Sequence, residues 1–250
     1  NGAGDGKGHL FVLDARDGSI LADIVTDNSV TNPALSGIGK INGWVDNGNL
    51  DNSTRYVYGG DLSGNLWRFD IEAGTATKLA TLGGVAPVGV QPITTKPELA
   101  EVSVAGIPTR LVMVGTGRYL GTTDVGSKDR MSFYVLKEDL TSSYGVVRSD
   151  PRMVEQQLTG TVGSRQLTYT EMLSTNIGWY MDFDAEDGER VNVDPKYQVG
   201  WLALPTNVPN PNVCNIGGTS WLYFLNPWPT KSVAASTAEL VNIGNSLIVG

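Results

Sequence analysis

Two segments of the chain share one plan. Leu10-Phe-Val-Leu-Asp14-Ala-Arg-Asp-Gly18 and Leu66-Trp-Arg-Phe-Asp70-Ile-Glu-Ala-Gly74 each set a run of large residues before an Asp-x-x-x-Gly turn that leads into a second strand. An aspartate that binds nearby backbone N–H groups, followed by a glycine free to take positive φ, reverses a strand within a few residues. Weaker copies are Ser132-Phe-Tyr-Val-Leu136 with Lys137-Glu-Asp139, and Ser220-Trp-Leu-Tyr-Phe-Leu225 with Asn226-Pro227. Gly178-Trp-Tyr-Met-Asp-Phe183, the turn 184–188 and Glu189-Arg-Val191 read as a further hairpin. A two-stranded unit cannot bury both faces alone, so such copies stack side by side. The expectation is an all-β chain, a β-propeller domain or an arc of one spanning residues 1–250, with quinoprotein-like blades. Residues 10–13, 66–69, 133–136 and 221–225 should hold equivalent places in three or four blades. The competing reading, a β-sandwich, leaves the matched Asp/Gly turns to coincidence.

Helix signals are nearly missing, because Gly and Pro interrupt every long window of helical periodicity. The nearest candidates are residues 150–157 and 231–240, each a few turns at most. Residues 42–54 and 205–215 are rich in Asn, Asp and Pro and read as exposed connections. Trp67 and Trp221 lie inside alternating strands and are expected in the core, whereas Trp228, between two prolines, is expected at the surface.

Composition removes several function classes. A formal charge of −8 offers no basic excess to displace counterions from nucleic acid, and it disfavours anionic lipid. No apolar run approaches the roughly 20 residues of a membrane span. The single cysteine, Cys214, cannot form an internal disulfide, and the single histidine, His9, has no second His for metalloprotease spacing. His9 reads as a surface or strand-edge residue. The chain starts Asn1-Gly2-Ala3 and reads as a piece of a longer protein. Cys214 is either buried or paired with a cysteine outside the fragment.

Four ordered motifs carry a family resemblance. Tyr56-Val-Tyr-Gly-Gly-Asp-Leu-Ser-Gly-Asn-Leu-Trp-Arg-Phe-Asp70 resembles the YxGDLxGNLWRFD segment of the PilC/PilY family of type IV pilus biogenesis and tip-adhesin proteins, in their C-terminal β-propeller domain. Leu111-Val-Met-Val-Gly-Thr-Gly-Arg-Tyr-Leu120 with Asp124 and Ser132-Phe-Tyr134 is similar to its FGTGRYL…D…QSFY stretch. Gly178-Trp-Tyr-Met-Asp182, Gly188-Glu-Arg-Val191 and Asp194-Pro195 resemble GWYLDL…GERV…DP, and Cys214 with Gly217-Gly-Thr-Ser-Trp-Leu-Tyr223 resembles C…GGSSWLY. The resemblance implies a Gram-negative envelope protein, exported through the periplasm to the outer membrane or pilus tip. There it would support pilus assembly, adhesion and twitching motility, with minor pilins as partners and a host or surface ligand in some members. The family's propeller has more blades than this length supplies, so an incomplete ring is expected.

Some family members carry Asp-x-Asp-x-Asp-x-x-x-Asp directly before the first motif, where calcium binding is tied to control of pilus function. The matching positions here are Asn47, Asn49, Asp51 and Arg55. Calcium takes six to eight oxygens, and this set offers one carboxylate and ends on a cation. Asn47, Asn49 and Asp51 are the candidate metal residues, and weak or absent calcium binding is expected.

Other chemistry reads as scaffold. The turn from Gly59 to Asn65 is an inter-strand turn in which Asp61 binds backbone N–H groups. Gly115-Thr-Gly117 lacks the ending and the following helix of a phosphate loop. Asp182, Asp184 and Asp187 are an acidic cluster with no second acid placed for glycoside hydrolysis. No catalytic residue and no cofactor is assigned. A non-catalytic pilus module is the leading reading. The alternatives are a quinoprotein-type enzyme, which would need a carboxylate-rich calcium pocket and often a vicinal disulfide, and a carbohydrate-binding propeller.

Overall fold

The structure, a computed structural model, describes residues 5–26, 37–161, 164–184, 186–210, 218–230 and 240–242. Strands β1 (His9–Leu13) and β2 (Ile20–Val25) form an antiparallel hairpin. The first sheet is an antiparallel meander of β3 (Ile38–Trp44), β4 (Tyr56–Asp61), β5 (Asn65–Asp70) and β6 (Thr75–Thr81). Next come β7 (Glu98–Val104), β8 (Ile107–Gly115), one helical turn α1 (Thr122–Val125) and β9 (Ser132–Glu138). An insertion then carries a 3₁₀ turn (Val147–Ser149), β10 (Met153–Glu155) and the hairpin of β11 (Gln157–Thr161) and β12 (Ser164–Thr168). Only after it does β13 (Gly178–Asp182) complete the second sheet, in the order β7-β8-β9-β13-β10 with β10 parallel to β13. The third sheet is β14 (Lys196–Gln198), β15 (Trp201–Pro209), β16 (Gly218–Leu225) and β17 (Leu240–Asn242).

Strand alternation sorts each sheet's side chains into two cores. On β4 and β5, Val57, Trp67 and Phe69 pack with Leu10 and Ile24 of the hairpin. Tyr58 and Leu66, on the opposite face, pack with Val112, Val114, Tyr134 and Leu136 of the second sheet. The other face of that second sheet, through Met113, Phe133, Val135 and Trp179, meets Leu204, Trp221 and Tyr223 of the third. The hairpin and three sheets are thus stacked face to face, with the middle sheets buried on both sides. The first strands lie together, with β7 touching both β3 and β14.

The equivalences read from sequence hold for three of the four segments. Residues 66–69, 133–136 and 221–225 fall in β5, β9 and β16, the third strand of each sheet. Residues 10–13 fall in β1, whose turn into β2 copies the turn from β5 to β6. The carboxylate of Asp14 accepts the N–H of Arg16, that of Asp70 accepts the N–H of Ala73, and Gly18 and Gly74 take φ of +76° and +66°.

Several expectations need correction. Residues 150–157 are not helical but hold a turn and β10, because Met153 and its neighbours find a parallel partner in β13. Residues 178–191 are not a hairpin. The antiparallel partner of β13 is β9, while Arg190 exchanges backbone hydrogen bonds with Asn207 of β15 and the Val191 N–H reaches the carbonyl of Thr116. Asn42 to Trp44 belong to β3, and Pro205 to Pro209 belong to β15 with Thr206 and Asn207 buried. Trp228 is buried, not exposed, and Lys137 stands over its ring at 4.6 Å. The exposed tryptophan is Trp201. The fold is all-β, and no strand pairing among the described residues closes the sheets into a ring. Cys214 and residues 231–239 lie outside the described residues.

Candidate functional site

The three candidate calcium residues lie in the exposed loop between β3 and β4. The Asn47 side-chain oxygen accepts the N–H of Asn49 at 3.2 Å, and the Asn47 carbonyl accepts the N–H groups of Leu50 and Asp51. The Asp51 carboxylate accepts the N–H of Ser53 at 2.7 Å. These oxygens shape the turn from within. Arg55 points away, to Asp70 at 2.9 Å and Glu72 at 2.7 Å. Among the described residues no group of three His, Cys, Asp or Glu side chains gathers as metal ligands. One carboxylate and two amides, with the Asn47 and Asp51 side chains already engaged with backbone, do not fit the oxygen-rich shell that calcium takes.

The remaining singled-out residues are scaffold. Asp61 is buried and accepts the N–H groups of Ser63 and Asn65 and the indole N–H of Trp67, each at 2.8–2.9 Å. At Gly115 an added Cβ would sit 2.4 Å from Val191, so this glycine serves sheet packing rather than phosphate. His9 is half-buried between Asp23 at 2.9 Å and Asp5 at 3.2 Å. The hydrogen bond to Asp23, above all, raises its pKa.

Sequence reasoning missed a set of buried ion pairs that cross between elements distant in sequence. Arg148 binds Asp182 and Ser132 and lies 4.2 Å over the ring of Tyr180. Arg68 of β5 meets Glu138 of β9 at 2.8 Å. Burial raises the pKa of Glu138, and the charge of Arg68 opposes that rise. Arg165 of β12 binds Glu189 with both side chains fully buried, and Glu189 also accepts hydrogen bonds from Thr206 and Tyr223. Arg190 donates to the carbonyls of Gly188, Arg118, Asp124 and Ser127. These groups tie sheets and loops together. None is an activated nucleophile facing solvent.

Two open clefts flank the base of the loop. One, of about 350 Å³, runs where β3, β7 and β14 meet and is lined by Trp44, Asp46, Lys96, Glu98, Glu101 and Lys196. The other, of about 470 Å³, includes Glu101 and Arg110 with Lys137, Asp139 and Arg152. Arg110 separates them, bound to Asp46 and stacked 4.9 Å over Trp44. Hydrogen bonds from Ser142 and Thr141 outweigh burial at Asp139 and hold its pKa at about 2, so this cleft keeps its charge. Small-molecule and cofactor pockets are mostly apolar and enclosed.

No family model matches the chain. A "Type IV pilus biogenesis factor PilY1 homolog" of Xylella fastidiosa is 30% identical over 208 residues, covering 80% of this chain and 16% of the relative. The type IV pilus biogenesis factor PilY1 of Pseudomonas aeruginosa strain UCBPP-PA14 is 23% identical over 319 residues, covering 97% of this chain and 26% of the relative. The chain therefore spans about a quarter or less of the length of these relatives. Its fold is similar to the crystal structure of the Pseudomonas aeruginosa PilY1 C-terminal domain, with a TM-score of 0.70 and 21% identity over 92% of this chain and 55% of that one. In sequence over most of its length the chain is similar to the PilY1 type IV pilus biogenesis factors, and its fold is similar to that of the PilY1 C-terminal domain.

Proposed function

We propose that the chain is the working segment of a type IV pilus biogenesis factor that acts without catalysis, by protein–protein contact. The observation that carries this reading is the similarity over 80–97% of the chain to factors of that name. The hairpin and three stacked sheets, with their first strands together, fit an arc of a propeller whose other blades belong to the rest of the parent protein. In that setting the parent works in the cell envelope, at the outer membrane or pilus tip after export through the periplasm. It contributes to adhesion and twitching motility and binds minor pilins.

The test is a pull-down of the intact parent protein with minor pilins at low and high salt. The expected result is association that weakens as salt rises, since exposed charge pairs are screened beyond about 8 Å at physiological ionic strength. No association at either salt, in cells that make normal numbers of pili without the parent gene, would overturn the reading.

The same reading includes no structural calcium at Asn47, Asn49 and Asp51. A site of micromolar affinity would add about 4 kcal/mol at millimolar calcium, or about 8–16 °C in melting temperature for a domain of this size. The expected outcome is one melting temperature in chelator and in millimolar calcium. A large rise that disappears in Asp51→Ala would establish the site instead.

A further inference from the structure

The cleft where the three first strands meet contains a carboxylate that is only half used. Glu98, the first residue of β7, is 2% exposed. Its Oε1 accepts both the ammonium of Lys196 at 2.9 Å and the N–H of Tyr197 at 2.8 Å. Its Oε2 is buried and has no partner. A buried carboxylate oxygen without a donor is costly, and the cost is relieved by any cation that reaches it. The nearby charges are otherwise engaged or resident. Lys40 is held by Asp194 at 3.1 Å, Asp194 also accepts the N–H of Lys96 at 2.9 Å, and Arg110 holds Asp46. With Asp46 engaged by Arg110, Glu98 and Glu101 stand against Lys96 and Lys196 along the cleft, in a chain of formal charge −8. Lys196, with its side chain two-thirds exposed, already brings an ammonium to the other oxygen of this carboxylate.

The connections that follow β3 and β14 carry exposed apolar side chains. Val45 lines the cleft, and Leu50 of the same loop is 85% exposed. The turn from β14 to β15 presents Val199, 89% exposed, and Trp201. Val199 has φ of +51°, a region that β-branched residues avoid, so this turn holds an apolar side chain in solvent at a conformational cost. Both connections join the first strand of a sheet to its second.

We propose that this cleft docks a lysine or arginine of a partner protein, flanked by apolar residues, with Glu98 Oε2 as the acceptor. The proposal rests on the protein-contact reading above and names the chemistry of the contact. Isotope-labelled chain is titrated with acetyl-Leu-Lys-Leu-amide and with its norleucine counterpart, following backbone amide signals. The lysine peptide should shift the amides of Lys96, of residues 98–101 and of Lys196, and the norleucine peptide should not. Glu98→Gln, which keeps the shape of the side chain, should weaken binding about threefold or more, the scale of one exposed charge pair. Lys196→Met removes the resident cation from an exposed position and should strengthen binding, a gain that a purely structural glutamate would not give. Equal shifts with both peptides, or no shift at these amides, overturns the proposal. So does unchanged affinity in both variants. If the pilin pull-down persists while the peptide fails, the cleft is excluded and the protein-contact function stands; if the pull-down fails, that function falls by itself.

Discussion

Trp179→Ala should lower stability by about 3–5 kcal/mol, the range for deleting a large aromatic from a core. Trp179 is fully buried in β13, the strand that reaches the second sheet only after the long insertion. Its ring lies 5.9 Å from that of Phe133 and belongs to the core shared by the second and third sheets. Its indole N–H donates to the carbonyl of Pro227 at 2.8 Å, so truncation also leaves a buried acceptor unpaired. The loss corresponds to a fall of about 6–20 °C in melting temperature at this chain length. Trp201→Ala, at the surface, should stay within about 0.5 kcal/mol and serves as the control. Thermal and denaturant melts of both variants settle the matter. A loss below about 1 kcal/mol for Trp179→Ala would mean that the second and third sheets do not share a packed core.

What the sequence revealed were the features that act over a few residues. The Asp14 and Asp70 turns, the Asp61 turn and the alternation along β5 depend on neighbours within one hairpin, and each was legible. The features that were not legible depend on partners far along the chain. Trp228 looks exposed between its prolines, yet it is covered by residues from distant segments, Lys137 among them. Arg148 finds Asp182, Arg68 finds Glu138 and Arg165 finds Glu189 across intervals that no local period encodes. β10 escaped notice because a parallel pairing leaves no turn signal beside it.

The motifs that carried the family resemblance turn out to be framework. Asp61 and Arg68 of the first motif close a turn and bridge two sheets. Gly115 of the second packs on Val191 of the third. Trp179, Asp182, Glu189 and Arg190 of the third are all buried, each tied to another segment of the chain. A resemblance built on such residues reports the fold with force. The surface proposed to meet a partner lies elsewhere, in the cleft beside the loop 45–55, where local sequence carries few constraints. That is why the candidate site was less readable than the architecture.

Glu189→Ala should be nearly as damaging as the loss of Trp179, for a different reason. The Glu189 carboxylate is fully enclosed, and burial raises its pKa against the opposing charge of Arg165. Arg165 comes from β12 of the inserted hairpin, lies 4.0 Å over the ring of Trp221, and also binds Tyr223 and, at 3.1 Å, Glu186. The pair therefore fastens the insertion to the third sheet through its most buried point. Removing one partner of a buried pair strands the other's charge and costs about 3–5 kcal/mol. Glu186 can compensate only in part, because it reaches Arg165 by a single contact at 3.1 Å. The double variant Arg165→Met/Glu189→Met leaves no stranded charge and should be more stable than Glu189→Ala, since apolar pairs of similar volume often replace buried ion pairs without loss. Chemical denaturation of Arg165→Met, Glu189→Met and their double variant, beside Glu189→Ala, is the measurement. Simple addition of the two single losses in the double variant would show that Arg165 and Glu189 act independently, and that the hairpin is held by its apolar residues Leu158 and Leu167 instead.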